Sequence, residues 1–294
     1  MIRVSYEDVV SSLKNMGICN GDLVFITADL LQVGYFPGSK SKTYLKWLEI
    51  LQDVVGSKGT IIVASYTDSS FRLLSKKIIY NKSSTTTSGA FSKIILSSNK
   101  HFRSEHPTNS YAGIGPLAEE ILSPQDHNGL SYDPIGRIID LGGKNLMLGT
   151  IDSKNAPMAL HYVQEIAGYT KAHPFSRLSK AYYYKGDSLH RFIRGDVGGC
   201  SSGAVFLYGF LLNSHKTKFG MVGNAPSIIV DAKESFDIIN NVFKKNRKVT
   251  YCIDNSCISC YGRLTNGITS FFYCCFLNFI KLVKRLFKNE RKIT

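Results

Sequence analysis

Leu23-Val24-Phe25-Ile26, Tyr44 to Val55 and Thr60-Ile61-Ile62-Val63 are the stretches on which the fold of this chain turns. The two four-residue runs are wholly apolar and rich in β-formers, the pattern of strands covered on both faces. Between them Leu45, Leu48, Leu51, Val54 and Val55 recur at helical spacing, and Gly56 and Gly59 interrupt the chain before the second run. Strand, helix and strand in close succession make a βαβ unit and predict a buried parallel pair.

Working outward, Ser5 to Gly17 reads as a first helix, with Ser5 as its cap, Asp8 in its first turn and Gly17 at its end. Further strands are expected at Asn145 to Leu148, Ala181 to Tyr184 and Ser227 to Val230, the last followed by an Asp231–Glu234 capping box and a helix through Phe243. The class is therefore α/β, with a mixed, largely parallel central sheet and flanking helices. Ser83 to Gly89 is a polar loop suited to bend over a site. Residues 1–265 read as one α/β domain and residues 266–294 as an apolar, then basic, C-terminal segment.

The chain of 294 residues is 44% hydrophobic, enough to bury a core, and carries 36 Lys and Arg against 22 Asp and Glu, a net charge of +14. That excess favours anionic partners such as nucleic acid, phosphorylated cofactors, nucleotide-linked substrates or acidic lipid, and charge alone does not choose between them. Part of it lies in the tail, where Lys281, Lys284, Arg285, Lys288, Arg291 and Lys292 follow the apolar run Phe271 to Ile280. A ten-residue run is too short to span a bilayer as a helix, so an interfacial segment is expected, or a terminal helix that docks on the domain or on a second subunit. The start of the chain lacks an apolar signal region, which predicts a cytoplasmic protein, peripheral at the inner face of the membrane, with its seven cysteines unpaired. Cys252, Cys257 and Cys260 have the C-x4-C-x2-C spacing of zinc ligands, but a structural site needs a fourth ligand to which the sequence does not point, and no metal is assigned.

For chemistry, His161 lies in Ala159 to Glu165, the start of a helix that places Glu165 one turn along the same face. An imidazole held by a carboxylate is suited to take a proton from an amine or alcohol near pH 7. Arg103, Ser104 and His106 sit on a loop entering an extended segment, where Arg and Ser can hold a phosphate or carboxylate. Asp196 precedes a flexible turn from which its carboxylate can meet a cationic substrate. There is no G-x-S-x-G elbow, Walker loop, H-E-x-x-H helix or well-formed G-x-G-x-x-G, which counts against common hydrolases, P-loop enzymes and simple dehydrogenases.

Set in order, several pieces resemble the aminoglycoside 3-N-acetyltransferase family over about residues 5 to 230. They are Gly21-Asp22, Gly59-Thr60, Gly89, Arg103-Ser104-Glu105-His106-Pro107, Asp133-Pro134-Ile135-Gly136-Arg137, Leu148-Gly149, Asn155, Leu160-His161-Tyr162, Gly195-Asp196 and Val222-Gly223-Asn224-Ala225. The resemblance implies a mixed α/β fold of the family's own and transfer of an acetyl group from acetyl-CoA to an amino group on a sugar. It also implies His161 as catalytic residue, Asp196 and Asp68 near the substrate amine, and Thr27, Ala28 and Asp29 in the loop that meets the cofactor; the residue reading adds Glu165 beside His161, Arg103, Ser104 and His106 as further cofactor-binding candidates, and Asn224 near the substrate.

The chain departs from the family pattern at Thr27-Ala28-Asp29, where His-Ser-Ser is usual, at Gln164, where an acid usually stands three residues after the histidine, and at Asn224, where histidine is common. With Gln164 in that place, Glu165 becomes the expected orienting carboxylate. These changes suggest a divergent acceptor pocket, and the net charge with the C-terminal segment favours an amino sugar acceptor, nucleotide-linked and in surface polysaccharide assembly, ahead of an aminoglycoside antibiotic. Nucleic acid is not an expected partner; a homodimer is compatible with the tail. Two readings compete: a non-catalytic binder on the same scaffold, and a hydrolase using Cys200 or Ser201 with His161.

Overall fold

The computed structural model describes residues 3–38, 40–151 and 155–290. Helix α1 (Tyr6–Asn15) leads into β1 (Leu23–Ala28), the one-turn α2 (Leu30–Val33), α3 (Lys40–Val55) and β2 (Thr60–Ala64). Short strands β3 (Ser70–Phe71) and β4 (Ile79–Tyr80) precede α4 (Ala90–Ser97), β5 (Phe102–Arg103), β6 (Tyr111–Ile114), α5 (Ala118–Leu122) and α6 (Asp133–Asp140). The second half runs β7 (Lys144–Leu148), α7 (Met158–Ile166), the hairpin β8 (Ser179–Lys185) and β9 (Ser188–Arg194), and α8 (Val205–Leu212). The hairpin β10 (Thr217–Val222) and β11 (Ala225–Asp231), α9 (Ala232–Lys245) and α10 (Ile268–Glu290) complete it.

A seven-stranded sheet in the order β10-β11-β7-β1-β2-β6-β5 organises the molecule. The βαβ unit stands as expected: β1 pairs β2 in parallel with Leu23 opposite Thr60, and pairs β7 in parallel with Val24 opposite Lys144. Parallel pairing in this sheet is confined to these three central strands, because β6 and β11 return antiparallel on either side. The expected largely parallel sheet is therefore a parallel centre between antiparallel flanks. Alternate residues of β1 serve opposite faces. Val24 and Ile26 pack with α1, α3 and α4, whereas Leu23 and Phe25 pack with α5 and α6. Both faces being covered is what made the run read as continuously apolar.

Local caps follow from the residues present. Ser5 accepts the Asp8 N–H at 3.0 Å, and Gly17 beyond the end of α1 takes φ +92, a left-handed conformation open to glycine. Asp231 accepts the Glu234 N–H at 3.0 Å, but the Glu234 carboxylate turns to Ser214 and Lys216 rather than closing the box. The Ser83–Gly89 loop packs more firmly than its composition suggested. Ser88 Oγ accepts the Tyr66 N–H, and Thr86 Oγ1 and Thr87 N–H donate to the Tyr66 carbonyl, pinning the segment after β2.

A smaller sheet, β3-β8-β4 with β9 paired to β8, ends at Arg194 and delivers Asp196 to Cys200 against α7. After α9 the chain makes a compact loop through the three spaced cysteines before α10. That helix docks through Asn278, which donates to the Ser256 carbonyl at 2.8 Å, and through Lys281, which pairs with Asp254 at 2.6 Å. Arg291 and Lys292 lie outside the described residues.

Candidate active site

Helix α7 starts where the Met158 N–H donates to Asn145 Oδ1 of β7 at 3.2 Å, a buried bond that ties its first turn to the central sheet. Leu160 and Val163 face the core, leaving His161 half-buried on the other side. His161 Nδ1 lies 3.0 Å from Gln164 Oε1, and the same oxygen accepts the Gly199 N–H at 2.9 Å. A backbone N–H can only donate, so the amide atom facing it is the oxygen, and the imidazole nitrogen beside that oxygen must carry the proton. His161 is thereby the Nδ1–H tautomer with its Nε2 lone pair available. Burial, with Arg263 and Arg194 nearby, pushes its pKa below the ordinary imidazole value despite the opposing effect of Gln164. The neutral form of the ring is thereby favoured.

The Asp196–Cys200 segment lies across this ring. A Cβ added at Gly198 would come within 2.9 Å of His161 Nδ1 and 2.7 Å of the Tyr132 hydroxyl, so only glycine lets the backbone approach so closely. Tyr132 stands beside it, its ring centroid 5.3 Å from that of His161. Arg263, fully buried, holds the segment in place: its guanidinium donates to the carbonyls of Val197 at 3.0 Å, Gly198 at 2.7 Å, Tyr169 at 2.6 Å and Ser259 at 2.8 Å. Sequence reasoning did not find Arg263 or Tyr132, since a lone arginine or tyrosine far along the chain from His161 carries no local signal.

Glu165 does not orient His161, contrary to expectation. Its two oxygens accept the N–H groups of Ser131 at 2.8 Å and Tyr132 at 3.0 Å, at the entry to α6. Buried N–H groups at a helix entry need an acceptor, and Glu165 is the carboxylate that reaches them. Burial pushes it up to about 7, with the Tyr132 N–H opposing and Asp196 adding to the rise. Asp196 is half-exposed and accepts the Thr170 hydroxyl at 3.0 Å through Oδ1.

The residues expected near the cofactor do not form one donor cluster. Asp29 caps α2, accepting the Leu31 N–H at 3.1 Å and the Gln32 N–H at 3.4 Å, so its charge is directed at a helix N-terminus rather than opposed to a pyrophosphate. Thr27 and Ala28 end β1, half-buried. Arg103 is buried, donating to Ser110 Oγ at 3.2 Å and to the carbonyls of Ser65 at 2.8 Å, Lys82 at 3.2 Å and Ser84. Ser104 is buried too, donating to Gln125 Oε1 at 2.7 Å and accepting the Tyr111 N–H at 2.8 Å. His106 accepts the Asn109 N–H at 2.9 Å through Nδ1, and burial pushes it down to about 3. All three brace the loops around β6 instead of presenting donors to a ligand. Asp68 is exposed on the loop after β2, and Asn224 is exposed on the β10–β11 turn, its N–H donating to the Val33 carbonyl at 2.8 Å.

With this geometry in view, the profile of the aminoglycoside 3-N-acetyltransferase family matches residues 25–244. The chain belongs to that family. Among curated relatives, the aminoglycoside N(3)-acetyltransferase III of Salmonella sp is 27% identical over 176 residues, covering 54% of this chain and 59% of the relative. The chain thus spans about three fifths of the length of the curated relatives it matches. Among solved structures, a mutant of aminoglycoside acetyltransferase AAC(3)-IVa in complex with a gentamicin aligns with a TM-score of 0.73 and 18% identity, over 92% of this chain and 98% of that one. AAC-IIIb binary with CoASH aligns with a TM-score of 0.67 and 18% identity, over 83% of this chain and 97% of that one. The likeness to these two is one of fold, and it agrees with the mixed α/β architecture expected of this antibiotic acetyltransferase family.

Proposed function

We propose that this chain is an N-acetyltransferase that moves the acetyl group of acetyl-CoA to an amine of an aminoglycoside, with His161 as general base. The observation that carries this reading is the His161–Gln164–Gly199 arrangement, which puts the proton on Nδ1 and leaves the Nε2 lone pair free beside a half-buried turn. Family membership and solved relatives that hold CoASH or gentamicin support the donor and the acceptor class. The nucleotide-linked amino sugar of surface polysaccharide assembly rests on net charge and the C-terminal segment, and the relatives favour the antibiotic.

In the reaction, the acceptor ammonium first gives up one proton to solvent; as the lone pair of the free amine adds to the thioester carbonyl carbon, Nε2 of His161 takes a second proton from the attacking nitrogen. Collapse of the tetrahedral intermediate completes the C–N bond and breaks the C–S bond, and the CoA sulfur leaves with the proton His161 returns. Asp196, with one carboxylate oxygen held by Thr170, and the exposed Asp68 supply negative charge for a polycationic acceptor. The expected roles of Thr27, Ala28 and Asn224 reduce in this reading to backbone positions at the end of β1 and on the hairpin turn.

The test is a thiol-release assay with acetyl-CoA, comparing gentamicin and sisomicin with UDP-linked amino sugars. Turnover of the aminoglycosides that vanishes in His161→Ala supports the reading. Turnover of the nucleotide sugars alone overturns the acceptor, and no thiol release from any acceptor favours the non-catalytic scaffold.

No helix among the described residues is long and apolar enough to cross a membrane. On α10, however, Ile268, Phe272, Phe276, Phe279 and Leu286 are all more than half exposed and recur at helical spacing, with Lys284 and Arg285 beside them. We infer that this face lies on an anionic membrane surface, the apolar stripe entering the headgroup boundary and the basic residues meeting lipid phosphates.

A further inference from the structure

Cys200, which the sequence does not associate with Cys252, Cys257 and Cys260, is brought to them by the fold: the four sulfur atoms lie within 4.8 Å of one another. Cys252 and Cys260 are buried, and Cys200 and Cys257 are half-buried. Two elements make the cluster. The turn from Cys257 to Tyr261, closed by the Cys260 and Tyr261 N–H groups on the Cys257 carbonyl at 3.1 and 2.8 Å, sets Cys257 and Cys260 one turn apart. The Asp196–Cys200 segment, clamped by Arg263, supplies the remaining sulfur from across the fold.

We propose that these four cysteines bind one zinc ion in a structural tetrathiolate site. A Zn–S distance of about 2.3 Å in a tetrahedron sets the sulfurs about 3.8 Å apart, within the spread this cluster allows, so one ion fits with small side-chain movements. A multi-iron cluster needs a wider ring of sulfurs, and soft thiolates select against hard ions such as magnesium and calcium. None of the seven cysteines is in a disulfide. Two further observations suit a metal. The Cys252 N–H donates to Cys260 Sγ at 3.4 Å, the kind of bond that orients a thiolate ligand. Arg263, three residues beyond Cys260, is a fully buried cation that donates to neutral carbonyls, with no carboxylate paired to it among the described residues. A zinc tetrathiolate carries two negative charges and supplies the missing counter-charge, and Cys260 is near enough to Arg263 to act on it. The metal joins Cys200 to the loop before α10, so it fixes the turn whose Gly199 N–H holds Gln164 on His161. It also removes Cys200 as a nucleophile.

The site is tested on the full-length protein purified under reducing conditions without chelator. Elemental analysis is expected to find one zinc per chain, and titration with an organomercurial should release that zinc, read with a metallochromic dye, as four thiols react. Exchange into cobalt should give the visible absorption of a tetrahedral tetrathiolate, a readout that needs no variant. Cys200→Ser and Cys257→Ser should lower zinc content, while Cys275→Ser should leave it unchanged. Four freely titrating thiols with neither zinc nor a cobalt spectrum, iron in place of zinc, or a disulfide within the cluster would each overturn the proposal.

Discussion

His161 Nδ1 and Gln164 Oε1 stand 3.0 Å apart on one turn of α7, and it is this amide, with no formal charge, that holds the imidazole. A neutral partner fixes the tautomer as well as a carboxylate does but stabilises the imidazolium less, so the base stays unprotonated to lower pH. His161→Ala is expected to lower kcat by about 10² to 10⁴ with an unchanged unfolding midpoint. In the wild type the acid limb of kcat/KM should fall below the ordinary imidazole range, because the pKa of His161 is depressed and the base is lost only as pH drops through it. Thiol release followed across pH checks both.

Gln164→Glu places a carboxylate where both neighbours, the ring Nδ1–H and the Gly199 N–H, already donate. The imidazolium gains a counter-charge, its pKa rises, and the acid limb of kcat/KM should move to higher pH by about one unit or more. A profile that does not move would show that this pair does not set the basicity of the site.

Gly198→Ala is expected to separate activity from folding. Its methyl would sit 2.7 Å from the Tyr132 hydroxyl and 2.9 Å from His161 Nδ1, so ring and turn must part. Overpacking of this kind costs about 1–3 kcal/mol, whereas a reacting group displaced by about 1 Å can lose about 10²-fold in rate. Chemical denaturation run beside kinetics should find a modest loss of stability and a large loss of kcat.

Glu165 gives the fold a pH dependence of its own. Its pKa is raised to about 7 from an ordinary 4.5, so the folded state holds the proton more tightly than the unfolded one. The stability it contributes is complete below about 4.5 and is lost as pH rises through about 7, by up to about 3 kcal/mol. Glu165→Gln cannot ionise. The difference in unfolding free energy between wild type and variant should therefore shift in favour of the variant between about pH 5 and about pH 8, and a constant difference would contradict the assignment.

For the tail, Phe272→Glu with Phe279→Glu, two residues 63% and 62% exposed, should abolish binding to phosphatidylserine vesicles without altering thiol release. Vesicle binding equal to that of the wild type would dispose of the membrane surface. A change in oligomeric state instead would assign the same face to a second copy of the chain.

Much of the architecture was legible because burial on two faces leaves a continuous apolar run, as at Leu23 to Ile26 and Thr60 to Val63, and because caps such as Ser5 and Asp231 act locally. Of the candidate site, only the helix that carries His161 was legible. Gln164 and Glu165 lie three and four residues further along one helix, both within reach, and the choice between them was made by two N–H groups at Ser131 and Tyr132 that no local pattern connects to α7. Arg103, Ser104 and His106 are polar and close in sequence, which suggests a ligand site, yet the strands and loops around β6 close over them and engage them internally. Cys200 and Arg263 meet the site only through tertiary folding.

One oxygen answering to two donors has a mechanical corollary. Any displacement of the backbone at residue 199 must tug on the amide of Gln164 and retune the proton affinity of the ring it touches. The position of that turn and the proton affinity of His161 are then geared together.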